Sequence, residues 1–175
     1  MEEELVKKAK THDKEAFSQL MKEAGKSMYK VAKAILKNDD DVADAMQETA
    51  LSCWEKIETL QKEEYFKTWL MRILINHCNT IYRKKRRYIL NDIMVETASE
   101  EDAYANVEWM ELLQCLDKKY RTVIVLYYAE GYKVKDIANI LNISESAVKE
   151  RLSTARKKME KYYKHGKGGM IYEKV

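Results

Sequence analysis

The chain has almost no residues that make tight turns, and this restricts its fold more than any other feature of the sequence. Proline is absent, and three of the five glycines (Gly166, Gly168 and Gly169) lie within the last ten residues. An all-β chain of 175 residues would need many turns, and turns draw on glycine and proline. The sequence therefore predicts an all-α protein.

Apolar residues in the first half recur at spacings of three and four, which is the pattern of amphipathic helices. One helix is predicted to begin after Asp13 as its N-cap, and a second in the acidic segment 39–41. A third helix is predicted from about Tyr65 to Arg83, where a basic run ends it. The polar stretch Glu58–Glu64 before that helix is predicted to be a loop.

The second half begins near Val107 and carries helical stripes of its own. Its last two predicted helices span about Val134–Leu141 and Glu145–Lys161. Between the halves the periodicity is lost and the residues become acidic. We therefore expect two small helical domains, at residues 1–87 and 107–165, joined by an acidic linker at 88–106 and followed by a flexible tail at 166–175.

The charges are unevenly distributed, although the net charge of +3 is too small to identify a partner. An unbroken basic run covers Arg83–Arg87, and a second basic stretch lies within 151–164. An acidic segment at 96–108 separates them. Two basic zones suggest two binding sites for a polyanion, although solvated helix ends would give the same pattern.

Several classes of function lack their usual signals. The three cysteines are widely spaced, so we expect no disulfide, metal site or cofactor, with Cys53 and Cys115 as buried, inert thiols. The three histidines stand apart from one another, without metal spacing or a nucleophile signature, which argues against an enzyme. No signal peptide or membrane-spanning run is evident, so we expect a cytoplasmic protein.

The segment 134–158 has the pattern of a helix-turn-helix. Asn142 falls at the turn, where a left-handed backbone is often needed, and Ser144 can cap the second helix. Polar side chains suited to base edges and phosphates share the outer face of that helix, with three further cations beside them: Ser146, Lys149, Glu150, Ser153 and Lys157, flanked by Arg151, Arg156 and Lys158. A helical hairpin with a polar surface is the alternative, and the combination of turn, cap and basic face favours DNA binding.

Both halves resemble one known family, the extracytoplasmic-function sigma factors of bacterial RNA polymerase. Region 4 of that family is similar to the segments LDKKYRTVIVLYYAEG and GYKVKDIANILNISESAVKERLSTARKKM. Region 2 is similar to DVADAMQETALSCWEKI and FKTWLMRILINHCNTIYRKKRR. The resemblance runs from about Leu5 to Tyr163, and the overall pattern resembles the sigma-V subgroup.

The resemblance implies a dissociable specificity subunit of RNA polymerase rather than an enzyme. Residues 1–87 would bind core polymerase, through the β′ coiled coil, and the −10 element of promoter DNA. Residues 107–165 would bind the −35 element and the β flap, and the acidic linker would enter the RNA exit channel. A membrane-anchored anti-sigma factor would hold the protein inactive until a stress or envelope signal releases it.

The resemblance also assigns roles to individual positions. Those matching −35 base contacts are Lys149, Glu150 and Ser153, and those near DNA phosphates are Ser146, Arg151, Arg156 and Lys157. Those matching −10 contacts are Leu60, Asn76, Thr80, Arg83 and Lys84, with Leu60 in a loop where the family often has an aromatic residue. Those matching the polymerase-binding surface are Asp44, Gln47 and Glu48.

Three positions depart from the family pattern. Asp117 stands where proline is usual, Lys133 where a Ser or Thr cap is usual, and Asn142 where glycine is common, which puts local stability in question.

Three other kinds of protein are the alternatives. A transcriptional regulator of the response-regulator type also ends in a helix-turn-helix, but residues 1–90 lack strand patterning. An enzyme with a helical catalytic domain would carry metal-ligand spacing or a nucleophile signature, which this sequence lacks. An adaptor that binds polymerase without DNA would not need the basic outer face of the last helix.

Overall fold

The structure is a computed structural model that describes residues 1–89 and 107–165. All regular secondary structure in these ranges is helical, which confirms the predicted all-α class. The helices are α1 (Glu2–Lys10), α2 (Lys14–Leu36), α3 (Asp39–Lys56), α4 (Phe66–Ile89), α5 (Val107–Gln114), α6 (Lys118–Ile124), α7 (Val134–Leu141) and α8 (Glu145–His165). They fall into two compact units, one built on α1–α4 and the other on most of α5–α8.

In the first unit, polar caps set where the long helices begin. Asp13 Oδ1 accepts hydrogen bonds from the backbone N–H groups of Glu15 and Ala16, each at 3.0 Å, and so caps α2 as predicted. Asn38 caps α3 by accepting from the N–H of Asp41 at 3.1 Å. Each cap satisfies N–H groups that have no partner within the helix, which fixes the helix start.

The core of the first unit lies where α2, α3 and α4 pack against one another. The apolar stripes read from the sequence supply it, with Leu20, Val31, Val42, Leu70 and Leu74 among its buried side chains. Two 3₁₀ turns, Ile57–Thr59 and Glu63–Tyr65, lie in the segment predicted as a loop. We refer to residues 57–65 as the α3–α4 loop.

The predicted end of the third helix at Arg83 is wrong, because α4 continues to Ile89. The basic run therefore occupies the last turns of a helix instead of ending it. Lysine and arginine are good helix formers, and their charges suit the negative C-terminal end of the helix dipole. Successive residues point in different directions around the helix, so Lys85 turns to Asp41 and forms an ion pair with it at 2.5 Å.

In the second unit, α5, α6 and α8 pack together around buried side chains that include Val123, Leu152 and Ala155. Arg121 is buried as well, and its Nη1 atom donates to the carbonyl oxygen of Leu116 at 2.9 Å. After α6 the chain makes one wider, π-helical turn at Val125–Ala129. Gly131 follows with φ of +71°, a left-handed conformation that favours glycine.

The cysteines match their predicted burial only in part. Cys53 is fully buried, and burial raises the pKa of its thiol to about 12. Cys115 is only half-buried, and its Sγ atom lies 2.9 Å from the carbonyl oxygen of Leu112. Over residues 1–89 and 107–165, no helix is both long and apolar enough to cross a membrane.

Candidate nucleic-acid interface

The turn between α7 and α8 has the geometry that the sequence predicts. Asn142 adopts a left-handed conformation, with φ of 52° and ψ of 50°. The N–H of Ile143 donates to the carbonyl oxygen of Ala138 at 3.1 Å, which closes the end of α7. Ser144 Oγ then accepts from the N–H of Ala147 at 3.1 Å and caps α8. Asparagine tolerates the left-handed region, so it can replace the usual glycine here.

Helix α8 has one buried face and one exposed face. Val148, Leu152 and Ala155 are buried, at spacings of four and three residues. The exposed side chains include all three positions predicted to read bases and two of those predicted to lie near phosphates: Lys149, Glu150, Ser153, Ser146 and Lys157. Because α8 is fixed from its inner side, these side chains form a polar strip along its outer side that a DNA groove can reach.

Arg151 and Arg156, the other two residues predicted to lie near phosphates, are placed differently from the residues of this strip. Arg151 is half-buried. Arg156 is exposed, but its Nε atom donates to the hydroxyl oxygen of Tyr128 at 2.7 Å. Its guanidinium carbon lies 5.8 Å from the ring centroid of Tyr127 and 5.6 Å from that of Tyr128. The two tyrosines thus orient the Arg156 guanidinium before any ligand binds, a role that the sequence pattern did not reveal.

Asp117, which stands in place of the family's proline, forms a contact that the sequence reading missed. Its carboxylate makes no capping hydrogen bond to α6. It forms an ion pair with Lys158 at 2.9 Å, which joins the start of α6 to α8. The hydrogen bond from Lys158 holds the pKa of Asp117 below its usual value. Lys158, which also lies 4.9 Å from the ring of Tyr120, is therefore engaged within the protein.

In the first unit, α4 carries a second polar and basic strip. Asn76, Thr80, Arg83 and Lys84 are all exposed. Thr80 lies four residues after Asn76, and Arg83 and Lys84 lie three and four residues after Thr80, which places them along one side of the helix. Thr80 Oγ1 donates to the carbonyl oxygen of Asn76 at 3.0 Å, and Arg83 Nε donates to that of Asn79 at 3.3 Å. We call these four residues the α4 strip.

Leu60 does not lie where a base contact requires it. Its side chain is only 4 % exposed, and the nearby Ile57 is fully buried. The two apolar residues are three positions apart in the α3–α4 loop, so both can face the core of the unit. The prediction that Leu60 presents a surface to an unpaired base is therefore corrected. The exposed aromatic residue of this loop is Tyr65, which is 53 % exposed.

Helix α3 exposes the three residues predicted to bind polymerase. Asp44, Gln47 and Glu48 are all exposed, and Gln47 and Glu48 lie three and four residues after Asp44, which places them on one side of the helix. Leu51 lies one turn further along the same side and is 53 % exposed. The sequence reading did not single out Leu51, although its spacing of three from Glu48 would have placed it there.

Comparison with known proteins places both units in the same class. Residues 20–88 match the model of sigma-70 region 2, and residues 106–159 match that of sigma-70 region 4. The chain is 32% identical over 134 residues to RNA polymerase sigma factor SigV of Bacillus subtilis, covering 75% of this chain and 81% of SigV. It is 29% identical to ECF RNA polymerase sigma factor SigW of the same organism, covering 89% of this chain and 93% of SigW. The solved structure of CnrH in complex with the cytosolic domain of CnrY matches with a TM-score of 0.72 and 25% identity, covering 94% of this chain and 98% of CnrH.

Proposed function

Because this chain belongs to the extracytoplasmic-function sigma factors of RNA polymerase, we propose that it directs core polymerase to promoters through two DNA contacts, one in each helical unit. Helix α8 reads the −35 element as duplex DNA. Helix α4 and the α3–α4 loop engage the −10 element, where the strands separate. The observation that carries this proposal is the exposed polar strip of α8, which follows a capped turn and is fixed by a buried inner face.

At the −35 element, Lys149, Glu150 and Ser153 make the base contacts. An ammonium can donate to a guanine edge, a carboxylate can accept from the amino group of cytosine, and a hydroxyl can do either. The surrounding phosphate contacts come from Ser146, Arg151, Arg156 and Lys157. The orientation of Arg156 by two tyrosines supports its assignment to a phosphate, because a guanidinium already held in place loses less side-chain entropy on binding.

At the −10 element, the α4 strip contacts the DNA. Asn76 and Thr80 supply polar groups for bases, while Arg83 and Lys84 neutralise phosphates. The position of the basic run within a continuous helix supports this assignment, because the cations then extend the line that Asn76 and Thr80 begin. Lys85 is excluded from the strip by its ion pair with Asp41.

Core polymerase binds the side of α3 that carries Asp44, Gln47 and Glu48, with its β′ coiled coil as the partner. The exposed Leu51 adds an apolar contact to that surface. The β flap binds the second unit. The acidic linker predicted at 88–106 occupies the RNA exit channel; its first two residues belong to α4, and the rest lies outside the described residues.

Regulation by an anti-sigma factor is part of the proposal. CnrH was solved in complex with the cytosolic domain of CnrY, so a chain of this fold can be held by a partner of which one domain is cytosolic. For this chain we infer a membrane-anchored anti-sigma factor that covers polymerase-binding surface until an envelope or stress signal releases it. The response-regulator alternative is not favoured, because a receiver domain needs strands and residues 1–89 are helical.

The proposal is tested by transcription with purified components. The chain is added to core polymerase on sheared genomic DNA of its source bacterium, and new transcripts are measured against core alone. We expect initiation that depends on the chain. A Glu48→Arg variant should lose that initiation through loss of core binding, whereas Glu23→Arg on exposed α2 serves as a matched control and should retain it. No stimulation on any template would refute the function.

A further inference from the structure

We propose that Lys10 is a positioning residue for capture of the opened DNA strand. It holds the α3–α4 loop in the shape that turns Tyr65 and Lys62, rather than Leu60, outward toward a base and its phosphate. This inference rests on the proposed function, since it concerns the loop assigned there to the −10 element. Tyr65 and Lys62 are then the side chains of that loop that face the DNA, and Lys10 of α1 sets their position.

Lys10, at the end of α1, joins two points of the loop that are far from it in sequence. Its Nζ atom donates to the carbonyl oxygen of Leu60 at 2.8 Å and lies 3.1 Å from Glu63 Oε1. The side chains of Lys10 and Glu63 are only 24% and 25% exposed, so water and salt screen this pair less than a surface pair. A backbone hydrogen bond and then the ammonium of Lys10 hold the pKa of Glu63 below its usual value, so the carboxylate is ionised at neutral pH.

The turn between α1 and α2 makes a second contact with the loop. His12 Nε2 lies 2.7 Å from Glu58 Oε1 in the first 3₁₀ turn, and the His12 ring packs edge-on against Trp54 at 5.1 Å between centroids. His12 has a φ of 62°, a left-handed conformation that strains a non-glycine residue. The end of α1 and the turn after it therefore hold the loop at its start and at its middle.

In this conformation the side chains of the loop point in different directions. Leu60 turns into the core, and Tyr65 stays 53 % exposed beside the start of α4. Lys62 Nζ lies 5.7 Å from the centre of the Tyr65 ring. A tyrosine ring can stack on any unpaired base, and a neighbouring ammonium can neutralise the phosphate of the same nucleotide. The pair thus supplies both groups needed to hold one nucleotide of an opened strand.

The contacts give a definite size to the expected effects. Loss of one aromatic stacking partner weakens single-strand binding by about fivefold to more than a hundredfold. Tyr65→Ala should therefore weaken strand capture by at least about fivefold, and Tyr65→Phe should keep it within about twofold. Lys10→Met keeps the apolar stem but removes both polar contacts, so it should reduce capture by releasing the loop. Lys10→Arg retains a cation and hydrogen-bond donors and should restore most of the capture.

The experiment measures binding of the holoenzyme, made from core polymerase and the full chain, to a forked DNA. Its duplex part carries the −35 element, and its single-stranded end the −10 element, of a promoter found in the transcription test above. A fully duplex fragment with the −35 element alone is the second probe. Lys8→Met, on the exposed side of the same helix, is the control variant.

We expect Tyr65→Ala and Lys10→Met to weaken binding of the forked DNA. Binding of the duplex probe and binding of core polymerase should stay unchanged, and the melting temperature of each variant should stay within a few degrees of wild type. We also expect the Lys10→Met effect to be small in a Tyr65→Ala background, because Lys10 acts through the loop. Full additivity of the two effects, equal losses on both probes, or wild-type capture by Tyr65→Ala would each overturn the inference. In those cases wild-type initiation would still stand, whereas failure of the wild-type chain to initiate would overturn the proposed function itself.

Discussion

Base reading and phosphate contact on α8 can be separated with two substitutions, Lys149→Ala and Arg156→Ala. Lys149 is exposed on the outer side of the helix. It lies two residues after Ala147, whose N–H donates to the capping hydroxyl of Ser144. That places it in the first turns of α8, the part of a recognition helix that contacts base edges. Arg156 lies two turns further on and is held by Tyr128. We therefore expect different consequences for sequence preference and for salt dependence.

The magnitudes follow from the kind of contact each side chain makes. A lost base contact costs about 1–3 kcal/mol on the preferred base pair and little on the others, so Lys149→Ala should flatten preference at one position by about 5- to 150-fold. A lost phosphate contact releases one counterion fewer, so Arg156→Ala should lower the slope of log affinity against log salt by about 0.9. Tyr128→Phe removes the hydroxyl oxygen that lies 2.7 Å from Arg156 Nε but keeps the ring. It should weaken binding by less than about 1 kcal/mol and leave the slope unchanged.

The assay is fluorescence anisotropy of labelled −35 duplexes that differ at single positions, titrated with holoenzyme at several salt concentrations. Lys149→Ala should change the rank order of the duplexes, and Arg156→Ala should lower affinity for all of them by a similar factor. If both variants changed the rank order alike, or neither did, the division between base reading and phosphate contact would be wrong.

The remaining predictions concern the stability of the two units. Ser144→Ala should lower the free energy of unfolding of the second unit by about 1 kcal/mol in a urea titration, and Ser144→Asp should not, since both native and aspartate side chains cap helices. Leu74→Ala removes a fully buried side chain from the first unit and should cost about 2–5 kcal/mol in the same titration, so a loss below 1 kcal/mol would contradict the packed core. The lowered pKa of Asp117 means that its ion pair with Lys158 stabilises the fold above the ordinary pKa of aspartate and that this contribution is lost as pH falls through the lowered value. The difference in melting temperature between wild type and Asp117→Asn should therefore disappear in acid, and a difference that grows in acid would be inconsistent with the pair.

Local chemistry made several features predictable from the sequence alone. The caps at Asp13 and Ser144 and the left-handed turn at Asn142 are confirmed, because each depends on one side chain and its immediate backbone. The polar outer face of α8 is exposed as predicted for a similar reason, since side chains at helical spacing share one side of a helix.

Features that depend on distant partners were not predictable in this way. Leu60 is buried and Tyr65 exposed because α1 contacts the α3–α4 loop, and no local pattern signals a hydrogen bond from Lys10 to a carbonyl group fifty residues away. The ion pair of Asp117 with Lys158 spans forty-one residues and is equally absent from any local motif. The basic run is predicted to end the third helix, but residues of high helix propensity can continue a helix when their charges face solvent or a carboxylate such as Asp41.

The central claim, that one chain directs initiation through two separate DNA contacts, is tested most directly by mapping the 5′ ends of transcripts. Core polymerase transcribes genomic DNA with and without the purified chain, and the starts that require the chain are aligned. The account predicts that these starts share two sequence blocks upstream, at a nearly constant separation, and that Lys149→Ala alters only the upstream block while Asn76→Ala alters only the downstream one. The absence of new starts, or starts that share a single block, would contradict it.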